Sequence, residues 1–283
     1  MKNLVITIIL INFFVYGQFN PGAKQISLSN ADVALSNDVF SSFNNIAGLA
    51  QLNWRELGIY YSPAPFGLSE LSNGYLAYLE PTDFGSFSLG AMTYGFELYR
   101  ESRFLISYSN KMFDKFFYGF SFNLHSVNIK NYGNDFAIYL NVGSLIYLMK
   151  DLRFGFFVEN INRASFSAEK EQIPTVLHAG FSYDLLKEIS LNISLEKDLR
   201  YKPSLQFGID YDLIDNLSFR FGFSNNPAKY SFGTGINYSM FNLDYAFLSH
   251  NDLGLTHQFG LIINFNSISS RKSAIRNYLG VND

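Results

Sequence analysis

The chain has 283 residues, enough for one large β domain or two ordinary ones, and its net charge of −3 is too small to point to nucleic acid or to an acidic partner. Aromatic residues reach 18 %, charged residues only 16 %, and the mean hydropathy of +0.03 excludes a helical membrane protein. There is no cysteine, which excludes disulfides, thiolate metal sites, a cysteine nucleophile and a lipoprotein anchor.

The chain opens MKNLVITIILINFFVYG, with Lys2 as a short positive region and an apolar run over residues 4–16 broken only by Thr7 and Asn12. Gly17 is a small residue at a plausible cleavage site. This predicts a secretory signal peptide over 1–17 and a mature start near Gln18, because the run is shorter than the roughly 20 residues that span a bilayer. Residues 18–53 are rich in Ser, Asn, Ala and Gly, lack period-2 alternation, and read as turns with short helical pieces.

From Trp54 to Phe265 the pattern is one of strands. Fourteen are predicted, over 54–62, 71–80, 86–96, 100–110, 116–128, 134–147, 152–160, 174–185, 189–197, 202–212, 217–224, 229–239, 241–249 and 255–265. Many alternate cleanly. Leu217, Phe219, Phe221 and Phe223 oppose Ser218, Arg220, Gly222 and Ser224; Tyr245, Phe247, Phe259, Leu261 and Ile263 oppose Asp244, Ala246, Gln258, Gly260 and Asn264. Connections after even-numbered strands are short, and several after odd-numbered ones are longer, as in a transmembrane barrel with short periplasmic turns. The spacing of about 15 residues per strand and connection over 54–265 exceeds the 8–12 usual in soluble sandwiches. The fold class is therefore all-β, an antiparallel transmembrane β-barrel of the bacterial outer membrane, with its apolar face to lipid. Aromatic pairs near strand ends, Tyr60–Tyr61, Phe116–Phe117 and Tyr238–Phe241, are expected to form interface girdles.

Inward parity puts Arg153, Glu159, Asp184, Glu196, Asp210, Arg220 and Asp244 in the lumen. A polar pathway or ligand-binding interior would use such charges; so would a closed lumen filled by mutually paired ones, and the mixed signs favour pairing. His250, Asp252 and His257 lie close in sequence, but a metal needs further ligands of suitable geometry, so no metal site is expected. Gly233 and Gly235 sit inside a strand with no helix after them and form no phosphate loop. GxSxG and HExxH patterns do not occur, and no enzymatic activity or cofactor is expected. Residues 266–283 are expected to hang in the periplasm, with Phe265 closing the last strand; a docking segment and a disordered tail are the two readings, and disorder is favoured.

Two stretches resemble the FadL superfamily of outer-membrane hydrophobic-compound transporters, and especially its PorV/PorQ-like branch. Residues 22–50 resemble the N-terminal block, with Asn45, Ala47, Gly48 and Leu49 matching its Asn-Pro-Ala-Gly-Leu motif; Ile46 stands in place of the proline and Lys24 in place of an arginine. The closing hairpin resembles the C-terminal block through Asp244, Tyr245, Ala246 and Phe247, then Asp252, Leu253, Gly254, Thr256 and His257. The resemblance implies a fourteen-stranded outer-membrane barrel whose N-terminal segment, here 18–53, folds into the barrel (54–265) as a hatch.

Two functions follow from it. The first is a non-enzymatic accessory or cargo-binding component of type IX protein secretion, with envelope or secretion-system proteins as partners beside outer-membrane lipid. The second is a FadL-like transporter of hydrophobic small molecules, with an apolar pocket near the hatch and a kink or opening in an early strand. A barrel supporting another envelope complex is the third reading.

Overall fold

The computed structural model describes residues 21–113, 115–166, 172–250, 253–266 and 270–280; the expected signal peptide and Asp252 lie outside them. The strands are β1 (Glu56–Ser62), β2 (Asn73–Thr82), β3 (Gly85–Gly95), β4 (Tyr99–Met112), β5 (Phe116–Ile129), β6 (Gly133–Tyr147), β7 (Leu152–Glu159), β8 (Val176–Asp184), β9 (Ile189–Asp198), β10 (Ser204–Ile214), β11 (Leu217–Asn225), β12 (Ala228–Tyr238), β13 (Phe241–His250) and β14 (Gly254–Asn264). Each pairs antiparallel with its chain neighbours, and β14 pairs with β1 from Asn264↔Glu56 to Phe259↔Tyr61, closing a fourteen-stranded barrel. The alternation predicts every strand boundary to within two residues.

Closure leaves no edge strand, so the ladder runs all the way round the wall. The two faces differ as their residues dictate. Ser190, Asn192 and Ser194 of β9 are buried, whereas Ile193 and Leu195 between and beyond them are exposed on the outer wall. The same holds for exposed Leu89, Phe104, Ile106, Phe120 and Phe122 against buried Ser88, Ser107 and Ser121.

Strict alternation corrects the aromatic girdles. Two consecutive strand residues cannot share a face, so Tyr60 and Phe117 point inward and are buried, while Tyr61, Tyr238 and Phe241 face outward.

The tail expected to be disordered contains a helix. Here α1 denotes Ala23–Ser27 near the start, and α2 is Arg271–Leu279. In α2, Ser270 caps the N-terminus by accepting from the Ser273 amide, and Gly280 ends the helix in the left-handed region (φ 66°). Ion pairs to wall residues described below hold α2 across the barrel end that carries the short turns, which a reading of its composition alone does not reveal.

Candidate functional site: a plugged lumen

Residues 21–54 run inside the barrel, and nearly all of them are buried. The segment is built from α1 and two 3₁₀ turns, Val39–Ser42 and Ile46–Gln51. Asp38 caps the first turn by accepting from the Phe40 amide at 3.0 Å, and also accepts from Gln25 Nε2 at 2.9 Å. Lys24 lies 3.5 Å from the same carboxylate.

The wall is shaped to receive this plug. Inward positions on many strands are glycine, and a Cβ there would collide with it. At Gly155 of β7 it would stand 2.2 Å from the Val33 carbonyl oxygen; at Gly222 of β11, 2.4 Å from the Leu28 carbonyl carbon. At Gly58, Gly90 and Gly119 it would meet Val39, Phe43 and Ile46 at 2.5, 2.7 and 2.8 Å. Non-bonded carbon atoms rest at about 3.5–4.0 Å, so at Gly155 and Gly222, where the plug's backbone is met, only glycine admits it.

The structure places the four motif residues together in the plug. Asn45 accepts from the Ala47 amide at 3.3 Å and donates to the Val33 carbonyl at 2.7 Å and the Ser144 carbonyl of β6 at 2.9 Å. It thus ties plug to plug and plug to wall. Ala47 and Leu49 are fully buried, and a Cβ on Gly48 would lie 2.0 Å from the Ser36 carbonyl oxygen.

Burial pushes the Asp32 carboxyl up to about 7, and the Asp38 charge adds to the effect. A carboxyl raised above its unfolded value contributes stability at low pH that is lost as pH rises through the folded value. Protection of residues 21–53 from protease should therefore fall as pH rises from about 4 to about 7 in the native protein, and the Asp32→Asn variant should lose most of that dependence.

The lumen charges read from parity fall into two groups. At the short-turn end, Arg220 bridges Asp210 (3.0 Å) and Asp244, while Arg153 meets Asp184 at 2.7 Å. Toward the long-loop end, Glu159 accepts from Arg103 at 3.0 Å, and Arg103 also donates to the Tyr139 hydroxyl at 2.8 Å. Glu196 accepts from Gln206 Nε2 at 2.9 Å and lies 3.9 Å from His178. Glu101 and His125 form a further pair at 2.9 Å. Arg103, His125 and His178 were not singled out from the sequence, although each occupies an inward position among Ser, Asn and Gly. Among the described residues, buried Arg103 Nε, His125 Nδ1 and Asn123 Oδ1 find no hydrogen-bond partner. Buried polar atoms are nearly always satisfied, so a water or a polar group of a solute would complete this cluster.

An aromatic layer covers the loop-end side of the plug. Phe43 of the plug packs edge-on against Tyr75 (5.1 Å between centroids), Tyr75 against Tyr60 (5.7 Å), and the Arg103 guanidinium lies 5.1 Å from the Phe43 ring centre. Phe157 packs on His178 at 5.6 Å. Rings with a few fixed polar groups suit a small apolar solute with one polar edge.

The C-terminal motif residues act at the loop end. Thr256 accepts from the Phe66 amide at 2.9 Å and so holds the 3₁₀ turn Pro65–Gly67 inward, where the Phe66 ring meets His250. Gly254 begins β14 with a positive φ of 91°. His257 is exposed on the outer wall and bonds the Tyr245 hydroxyl at 2.7 Å, whereas His250 lies at an inward position. The two histidines thus stand on opposite faces of the wall.

The early strands are continuous: the β1–β2, β2–β3 and β3–β4 registers run without a shift, so the kink expected of a transporter is not there. Two ladders hold only six pairs, β14–β1 and β6–β7, and the second of them runs only from Val142↔Val158 to Tyr147↔Arg153. Beyond it the Asn162 side chain stands in for a strand, accepting from the Leu140 amide at 2.9 Å and donating to the Ile138 carbonyl at 3.3 Å.

The closed antiparallel barrel of fourteen strands is shared in fold with three solved structures. The chain is similar in fold to the CymD monoaromatic hydrocarbon channel (TM-score 0.68, 13 % identity), covering 87 % of this chain and 98 % of that one. The Ralstonia pickettii toluene transporter TbuX (TM-score 0.62, 11 % identity) is matched over 87 % and 97 %. A Pseudomonas aeruginosa FadL homologue (TM-score 0.58, 12 % identity) is matched over 86 % and 97 %. Neither a protein-family model nor a curated protein sequence matches the chain.

Proposed function

We propose that the chain is an outer-membrane barrel that admits small hydrophobic solutes, aromatic ones among them, past an internal hatch. The observation that carries this is the plugged lumen with its layer of Phe43, Tyr60, Tyr75, Phe157 and Tyr139 on the loop-end side of the plug. The exposed apolar outer wall supports a lipid setting, since monomeric soluble proteins rarely expose apolar patches beyond a few hundred Å². The likeness in fold to channels for monoaromatic hydrocarbons agrees with the substrate class. With lipid around the wall, the short turns face the periplasm and the longer loops the cell exterior. At the β6–β7 seam the wall continues past six pairs through the Ile161 amide to the Leu140 carbonyl (2.9 Å) and the Asn162 side chain, which offers a lateral way out of the aromatic layer.

A role in type IX secretion has only the resemblance of the terminal blocks behind it, and the short loops leave little surface for a large cargo. Uptake of a labelled monoaromatic hydrocarbon separates the two. Cells carrying the protein in their outer membrane should take it up faster than cells without it. Equal uptake would reject the transport reading.

A further inference from the structure

The helix α2 closes the short-turn mouth, and each of its basic residues holds a different sector of the wall. Arg271 pairs with Glu56 of β1, Lys272 with Asp212 of β10 at 2.8 Å, and Arg276 with Asp151 in the β6–β7 turn and with Asp184 of β8 at 3.3 Å. The helix therefore crosses the opening instead of lying along one edge.

It also grips the plug. Arg271 donates to the Asn37 carbonyl at 2.9 Å, while the second oxygen of its partner Glu56 accepts from the Val39 amide at 2.8 Å. Glu56 takes a further bond from Trp54 Nε1 at 2.7 Å. Leu279 packs against the cluster of Ala34, Ala47, Ala50 and Phe117, and Ile275 is buried. The rest of the attachment is made of these ion pairs and of bonds from Arg271 to the Asn37 carbonyl and the Asn264 side chain (3.2 Å), and the pairs of Lys272 and Arg276 are partly open to solvent.

We propose that α2 is an ion-paired latch: it locks the plug through Glu56 and Asn37, shuts the short-turn mouth, and must lift for a solute to leave. This rests on the reading of the barrel as a membrane channel, and the test below separates the two. Ala50 belongs to the plug cluster against which Leu279 packs and is 6 % exposed. In full-length protein carrying Ala50→Cys, reaction of the new thiol with a membrane-impermeant maleimide reads whether α2 is down. Hydrocarbon uptake is measured alongside.

Removing the three charges (R271Q/K272Q/R276Q) should speed labelling about tenfold or more, since even exposed ion pairs are each worth up to about 1 kcal/mol. K272E should speed it alone, and the swapped pair D212K/K272E should return it toward the native rate. A contact that merely fills space would not be restored by exchanging the charges. Native-rate labelling in the triple variant, or a swap that restores nothing, overturns the latch even if uptake is observed. Faster labelling with restoration by the swap supports it, and if no variant then takes up hydrocarbon, the channel reading fails while the latch stands.

Discussion

Gly155→Val should drive the plug from its seat while leaving the barrel closed. The new Cβ would lie 2.2 Å from the Val33 carbonyl oxygen, 2.7 Å from its carbonyl carbon and 2.8 Å from Ala34 Cα. These are backbone atoms that cannot rotate away. Overpacking of this kind costs about 1–3 kcal/mol and sometimes more, and valine is otherwise favoured in strands. The loss should therefore fall on the plug and not on the β7–β8 ladder. Protease should cut within residues 21–53 much faster than in the native protein, and the barrel should keep its resistance to unfolding in detergent. Gly74→Ala is the matched control, because its nearest contact would be 3.6 Å away. Native protection of the segment in the Gly155→Val variant would show that plug and wall do not depend on that contact.

Arg220→Met should be among the most damaging single substitutions in the wall. Arg220 stands between Asp210 and Asp244, its side chain and both carboxylates less than a tenth exposed. Taking away the shared cation leaves two buried carboxylates without compensation, a change of the kind that costs about 3–5 kcal/mol. Replacing all three groups (R220M/D210N/D244N) should recover most of the loss, because desolvation of the charges goes with them. The temperature at which the folded barrel converts to the unfolded form on electrophoresis reports both. A single variant as stable as the native protein would mean that water reaches this cluster.

The wall was legible in the sequence because it separates two environments. Outward Leu217, Phe219, Phe221 and Phe223 and inward Ser218, Arg220, Gly222 and Ser224 differ in kind at every step. Parity also placed Arg220 with Asp210 and Asp244 in the lumen. It failed where two aromatic residues adjoin, since Tyr60 and Tyr61 look alike in composition and differ only in face.

The plug has no periodicity to read, so its glycine partner Gly222 reads in the sequence as one member of a small, polar face, not as part of the floor of a docking surface. Asn45 stood out only through a resemblance, and its bonds to Val33 and Ser144 explain why that position matters. The latch was illegible for another reason. Arg271 and Glu56 are 215 positions apart, and nothing local in RKSAIRNYL says what its charges will meet.

Passage of a solute past a hatch requires the plug to lie inside the barrel in the membrane. Thiol labelling of Ala47→Cys and Leu253→Cys in intact outer membranes tests this most directly: Ala47 is fully buried within the plug, and Leu253 in the β13–β14 loop is 50 % exposed. The structure predicts rapid labelling at Leu253→Cys by a membrane-impermeant reagent and little at Ala47→Cys. Equal rates at the two sites would place residues 21–53 outside the lumen and contradict the account.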